Sequence, residues 1–464
     1  MLKKLVKNSL LFGIAPYVPK VVSVFLLPIM TQYLTATDYG IAGTIDAYTQ
    51  GITAFSTLGF SSVLSISFYR CKFQYKILWR EIYGFLQYWM VIFAIIQGIL
   101  LYFIIPNEAA ENKWWIILFT NFSNVFFGAT AIIGNSYYVL NLNPLPVVTR
   151  SIIAGIVTVL ANYILVVHYR LGYLGWYIGG FIGTFIVNAS YWYTINLRLK
   201  LTPIFNYKRK TILKYLKISI PTIPHYYSMF LMNSSSKVVM DTYSCTLSSL
   251  GQINIVTQIG SLIENGINSI NQAIAPMAMK ELSNKNEVGT KKLIYLYSSI
   301  TLFGTFLFSI WSKEIFNILI SNVELASTYP YAILFIMTLN YRPMYVAVSN
   351  IFFLFENTAS LLKITFIAGL IALGLYILLI PLFSMWGVVI SYYIAGLYLG
   401  YSGFHFKFFK ERTKVKYSYF NILIIQLTLT ILAFLIVETN IVYKLITTAI
   451  SIIFLYKVTK LFRK

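Results

Sequence analysis

The sequence predicts an all-α polytopic membrane protein of about 14 transmembrane helices, with two parallel six-helix repeats around a central cavity and a C-terminal helix pair. Three observations carry that prediction. Hydrophobic residues make up 58% of the 464 and charged residues only 11%, a composition foreign to soluble domains. Apolar runs of about 20 residues, long enough to cross a bilayer at 1.5 Å per residue, recur along the chain. Basic residues concentrate in alternate loops, the charge signature of a multi-pass topology.

Taken in order, the predicted spans are residues 9–34, 41–69, 82–105, 114–140, 147–167, 173–195, 218–240, 252–274, 293–312, 329–355, 360–381, 386–404, 418–437 and 441–458. The first run is longer than the apolar core of a secretory signal and lacks a small-residue cleavage site, so it is expected to stay as a helix. After the sixth span comes "RLKLTPIFNYKRKTILKYLK", the most basic linker in the chain. It divides the sequence into an N-terminal bundle (1–195), a cytoplasmic linker (196–217), a C-terminal bundle (218–404) and a basic loop with the final helix pair (405–464).

The net charge of +22 is explained by where the 36 Lys and Arg fall. Lys113, Arg170, Lys313 and Lys444 occupy one set of loops, and Lys20, Lys237 and Arg342 lie inside spans. The remaining 29 sit at the other side. By the positive-inside rule that side is cytoplasmic and both termini lie there, in a cytoplasmic (inner) membrane. The basic surplus is therefore a topology signal with some affinity for anionic membrane lipid, and nucleic acid is not an expected partner. Cys71 and Cys245 fall on opposite faces in this topology, which argues against a disulfide, and no metal-ligand spacing is present.

An internal repeat supports the two-bundle reading. "APYVPKVVS" at 15–23 and "IPTIPHYYS" at 220–228 share Pro-x-x-Pro-(Lys/His)-x-x-Ser, and each opens the first helix of its group. The next helices start near Gly40 and Gly251, at nearly the same offset. With six spans per copy, both copies enter the membrane in the same direction, the parallel-repeat arrangement that encloses a central site.

The charged residues inside spans are the candidate site. Lys20 lies near the bilayer midplane, where a charge costs at least about 3 kcal/mol unless it faces an interior or wet cavity. At helical spacing it shares a small, polar face with Gly13, Pro16, Tyr17 and Ser23. It either binds substrate or forms a structural ion pair. His225, its counterpart, can bind an anion when protonated or stay neutral and hydrogen-bonded between helices. Arg342, before Pro343 in "LNYRPMY", has a permanently charged fork suited to phosphate or carboxylate.

Glu264, in "SLIENGINSINQ", can neutralise Lys20 or Arg342, or take part in ion coupling. Two central cations against one anion predict a cavity that is neutral to positive and a substrate that is negative. Lys237 and Asp241, spaced i, i+4, suit an interfacial ion pair. Asp46, about one turn into its predicted helix, suits a helix N-terminus. Pro16, Pro19, Pro221 and Pro224 either bend helices during transport or shape the cavity statically. Tyr17 and Tyr226 belong to interfacial belts or stack on sugar rings. No Gly-rich phosphate loop, Ser/His/Asp arrangement or Asp-x-Asp motif is found, and loops on the outer side are short. Transport is expected rather than catalysis, with no cofactor.

On "LLPIMTQYLTATDYGIAG", "KVVMDTYSCTLSSLGQINIVTQIGSLI" and the fourteen-span layout with its basic central linker, the chain resembles a Wzx-type polysaccharide flippase. That family belongs to the multidrug/oligosaccharidyl-lipid/polysaccharide exporter superfamily. The resemblance spans essentially the whole length. It implies alternating-access translocation of a polyprenyl-pyrophosphate-linked oligosaccharide for surface polysaccharide (O-antigen or capsule), with cations in a central cavity, here Lys20 and Arg342. Glycosyltransferases and a polysaccharide polymerase are the partners such a role involves. A lipid II flippase and a drug or cation antiporter of the same superfamily are the alternatives. An antiporter usually needs embedded carboxylates, whereas here the first-helix charge is a lysine.

Overall fold

The computed structural model describes residues 18–70, 74–141, 143, 145–220 and 223–463. No strand occurs among the described residues, and contacts divide the chain into two compact units, Met1–Tyr227 and Ser228–Lys464.

Unit 1 begins with α1 (Val18–Tyr33). α2 (Ala36–Ser56) starts in a capping box, in which Thr35 Oγ1 accepts from Asp38 N at 3.1 Å and Thr35 N donates to Asp38 Oδ2 at 2.8 Å. This corrects the reading of Asp46: the helix begins at Ala36, so Asp46 lies about three turns inside it, exposed to solvent or lipid. The first-turn acid is Asp38, whose Oδ1 also accepts from Tyr173 N at 3.2 Å. α2 ends where Leu58 and Gly59 take positive φ (46° and 70°), and α3 (Phe60–Arg70) follows.

α4 (Tyr75–Ile104), α5 (Lys113–Leu140), α6 (Leu145–Asn162) and α7 (Gly172–Trp192) complete the long helices of this unit. Gly175, Gly179 and Gly183 repeat every four residues on α7, so one ridge of that helix has no side chains. α6 packs directly into it, the small-residue contact on which membrane helices rely. The linker is partly helical, because Arg209–Ser219 forms α8. Its Ile212, 3% exposed, joins a core with Phe60, Leu64, Trp79 and Ile82 from α3 and α4.

The predicted span 218–240 is broken into α9 (Ile223–Asn233), in which unit 1 ends and unit 2 begins, and α10 (Ser235–Thr242) of unit 2. The polar run from Asn233 to Ser236 accounts for the break, since short hydroxyls compete for backbone groups. Ser235 Oγ donates to Leu231 O at 2.6 Å. α11 (Leu247–Ser283) is 37 residues long, nine beyond the predicted end, and thus about 55 Å. α12 (Glu287–Ile310) runs back along it.

After the short α13 (Ser312–Leu319), the span predicted as continuous over 329–355 divides into α14 (Tyr329–Thr338) and α15 (Arg342–Leu354). α16 (Thr358–Phe383), α17 (Met385–Tyr401), α18 (Tyr419–Ile436) and α19 (Ile441–Arg463) finish the chain.

Among the described residues seven helices are long and apolar enough to cross a membrane: Ala36–Arg70, Tyr75–Ile104, Asn107–Leu140, Leu145–His168, Glu287–Ile310, Thr358–Phe383 and Tyr419–Ile436. Others coincide with predicted spans but are interrupted, like α9–α10 and α14–α15, or carry many amides, like α11 with Asn254, Asn265, Asn268 and Asn271.

Candidate functional site

The break between α14 and α15 builds the most chemically distinctive place in unit 2. Leu339–Tyr341 is a tight 3-10 turn, and Pro343 is the second residue of α15. Proline has no N–H for the carbonyl of residue 339, so the helix cannot run through. A broken membrane helix survives only where neighbours satisfy the released backbone groups. Here Gln426 Nε2 on α18 donates to Asn340 O at 2.7 Å, and Thr305 Oγ1 on α12 donates to Asn340 Oδ1 at 2.7 Å. The Tyr401 hydroxyl donates in turn to Gln426 Oε1 at 2.5 Å. Asn340 and Gln426 are both 1% exposed, so this polar chain fixes the turn from inside the unit.

Arg342 follows that turn directly. Its Nη2 donates to Glu264 Oε1 at 2.6 Å and its Nη1 to Asn268 Oδ1 at 2.9 Å. Glu264 and Asn268 lie one turn apart on α11, so one helix face receives the planar fork. Tyr297, Tyr345 and Tyr392 stand close enough to interact with the guanidinium charge. The side chains of Arg342 and Glu264 retain 22% and 20% exposure, and the two bonds use two of the five donors a guanidinium carries. Of the two cations that Glu264 was expected to be able to neutralise, it meets Arg342. The pair is locally neutral, which removes one of the two cations behind the expected neutral-to-positive cavity.

Of the other sequence candidates, Pro16, Tyr17 and Pro221 lie outside the described residues, as do the side chains of Lys20, Pro19 and His225. Pro224 and Tyr226 are exposed in α9. Lys237 Nζ donates to Asn254 Oδ1 at 2.7 Å, which ties α10 to α11, and Asp241 is half-buried near the end of α10.

Two basic residues assigned to loops by sequence are anchors between helices instead. Arg150 lies inside α6: it donates to Pro146 O at 2.7 Å, Ser190 Oγ at 2.8 Å and Thr194 Oγ1 at 2.7 Å, with its guanidinium 4.6 Å from the Tyr191 ring centre. Lys444 is 0% exposed and pairs with Glu314 at 2.6 Å, beside the Trp311 ring. Loop position does not reveal either role: Ser190 and Thr194 hold Arg150 from beyond its own helix, and Glu314 on α13 holds Lys444. The amides Asn340 and Gln426 were also missed, and an isolated amide in an apolar run was their only signal. Finally, an apolar cavity of about 550 Å³ opens among α12, α18 and α19, lined by Leu302, Phe306, Leu429, Ile450 and Phe454 among others.

This architecture matches solved membrane transporters. The chain superposes on the lipid II flippase MurJ in an inward closed conformation with a TM-score of 0.68 at 18% identity, covering 94% of this chain and 100% of that one. It superposes on an inward-facing multidrug resistance MATE family transporter of the MOP superfamily with a TM-score of 0.64 at 12% identity, covering 84% and 93%. A MOP superfamily transporter from Pyrococcus furiosus, whose binding pocket is described as reversed in polarity, gives 0.53 at 12% identity, covering 86% and 94%. No protein-family model matches the chain, and no curated protein matches it by sequence. The chain therefore has the multi-pass, all-helical fold of MOP-superfamily transporters, the class that also contains the resemblance drawn from its sequence.

Proposed function

We propose that the protein is a flippase that moves a polyprenyl-pyrophosphate-linked oligosaccharide across the cytoplasmic membrane by alternating access, for assembly of a surface polysaccharide. In this reading the chain crosses the membrane fourteen times, as two parallel six-helix repeats plus a final pair, with both termini cytoplasmic. Glycosyltransferases supply the substrate and a polymerase consumes it. The observation that carries the proposal is Arg342, a permanent cation fixed by a broken helix and partnered by a carboxylate and an amide.

Glu264 accepts a single bond from Arg342 Nη2, whereas a pyrophosphate offers two oxygens to the guanidinium fork and carries more charge. Substrate binding exchanges the internal carboxylate for substrate phosphate, and release restores the internal pair. Lys20 and His225 contribute further positive charge. The apolar cavity beside α18 and α19 suits the hydrocarbon part of the same substrate. Lipid II is the second reading, favoured by the likeness to MurJ; its polyprenyl-pyrophosphate end would make the same exchange.

Arg342→Ala and Glu264→Gln in cells that depend on the protein for surface glycan separate these roles. Arg342→Ala should abolish or sharply reduce glycan at normal protein abundance. Glu264→Gln, which removes the competing anion, should retain substrate binding but slow turnover. Normal glycan output in Arg342→Ala would sink the proposal.

A further inference from the structure

We propose that the outer face of α8 is a docking surface for the anionic phospholipid headgroups of the membrane that the protein spans. One side of α8 is committed to the fold, because Ile212, Tyr215 and Leu216 pack on the core of α3 and α4. On the opposite side, Lys210, Leu213, Lys214 and Lys217 follow the i, i+3, i+4, i+7 spacing of one helix face. All four are exposed, Leu213 by 58%. Lys208 and Arg209 flank them and are exposed as well.

Residues 196–220 contain no Asp or Glu, and none of these cations belongs to an ion pair among the described residues. The charge therefore looks outward unneutralised. The platform beneath it is fixed. Arg80 Nε donates to Thr202 O at 2.8 Å, Ile204 N donates to Arg80 O at 2.9 Å, and Tyr207 packs edge-on against Phe85. These contacts seat the linker on the first turns of a membrane-spanning helix, at the level where a headgroup layer would lie.

The mixture of side chains selects the partner. Phe205, Leu213 and Ile220 are exposed among the lysines, by 49%, 58% and 48%. Short apolar residues between basic ones suit the headgroup boundary, where the charge meets phosphate and the apolar tip enters the acyl edge. A nucleic acid or an acidic protein would use the charge but leave Leu213 and Ile220 in water.

The full chain carrying a spin label at Leu213→Cys, with Cys71 and Cys245 replaced by Ser, tests this in lipid nanodiscs. Phosphatidylglycerol added to phosphatidylcholine should immobilise the label and shield it from a water-soluble relaxant. Each removed lysine should shift the docked-to-free ratio roughly fivefold. Lys210→Gln, Lys214→Gln and Lys217→Gln together, or high salt, should release the label while the protein stays folded, since the three side chains make no internal contact that the fold needs. A label equally mobile in both lipids would overturn the proposal. So would one immobilised by an RNA oligonucleotide or an acidic peptide but not by phosphatidylglycerol.

Discussion

Ion pairs in this protein differ in what surrounds them, and their expected behaviour differs accordingly. Arg342 and Glu264 share the interior of unit 2, whereas Lys313 and Glu438 pair at 2.5 Å with side chains about half exposed. The Lys313 ammonium and the Tyr329 hydroxyl both donate to Glu438 and hold its carboxyl below the ordinary carboxylate range. A carboxyl whose folded pKa is lowered stabilises the fold above its unfolded pKa, and that contribution is lost as the pH falls through the lowered value. Melting temperatures of the wild type and Glu438→Gln should therefore differ at neutral pH and converge in acid. Because the pair is exposed, the difference at neutral pH should be small and should shrink further in salt. A gap that widens on acidification would contradict this account. At this scale the sequence made Arg342 and Glu264 visible, because charges in apolar runs are conspicuous. The anchoring of Lys444 and Arg150 was invisible, since it depends on partners 130 and 44 residues away.

At the level of elements, apolar runs placed nearly every helix, yet the interruptions that matter were hidden. Pro343 lies within a run read as one continuous span, and the Thr305, Gln426 and Tyr401 side chains, drawn from three other helices, show how the turn at 339–341 is sustained. The sequence extended α11 to residue 274, whereas it runs on to Ser283, because hydropathy ends where the bilayer does and the helix does not. The α6–α7 contact offers a direct test. A Cβ at Gly179 would run into the Asn162 side chain, while one at Gly180 meets nothing within 4 Å. Gly179→Val should cost about 1–3 kcal/mol through overpacking and lower the melting temperature. Gly180→Ala, one residue along the same helix, should leave it unchanged or raise it slightly. Equal effects of the two substitutions would argue against close packing along the glycine ridge.

For the whole molecule, composition, hydropathy and the placement of Lys and Arg point to a multi-pass membrane protein, and the fold is that of solved membrane transporters. Substrate identity was less legible. A transporter fold of this kind accommodates lipid-linked glycans and drugs alike, and what distinguishes them is the sign and position of charge at a few residues. The central claim is that a fixed guanidinium recognises the phosphate end of a lipid-linked glycan. Its most direct test is translocation by purified protein in liposomes carrying a polyprenyl-pyrophosphate oligosaccharide, with the wild type and Arg342→Ala side by side. The account predicts movement of the glycan-lipid by the wild type, inhibition by excess soluble pyrophosphate, and loss of both in Arg342→Ala. Undiminished translocation by Arg342→Ala, or wild-type transport of a cationic drug with none of the glycan-lipid, would contradict it.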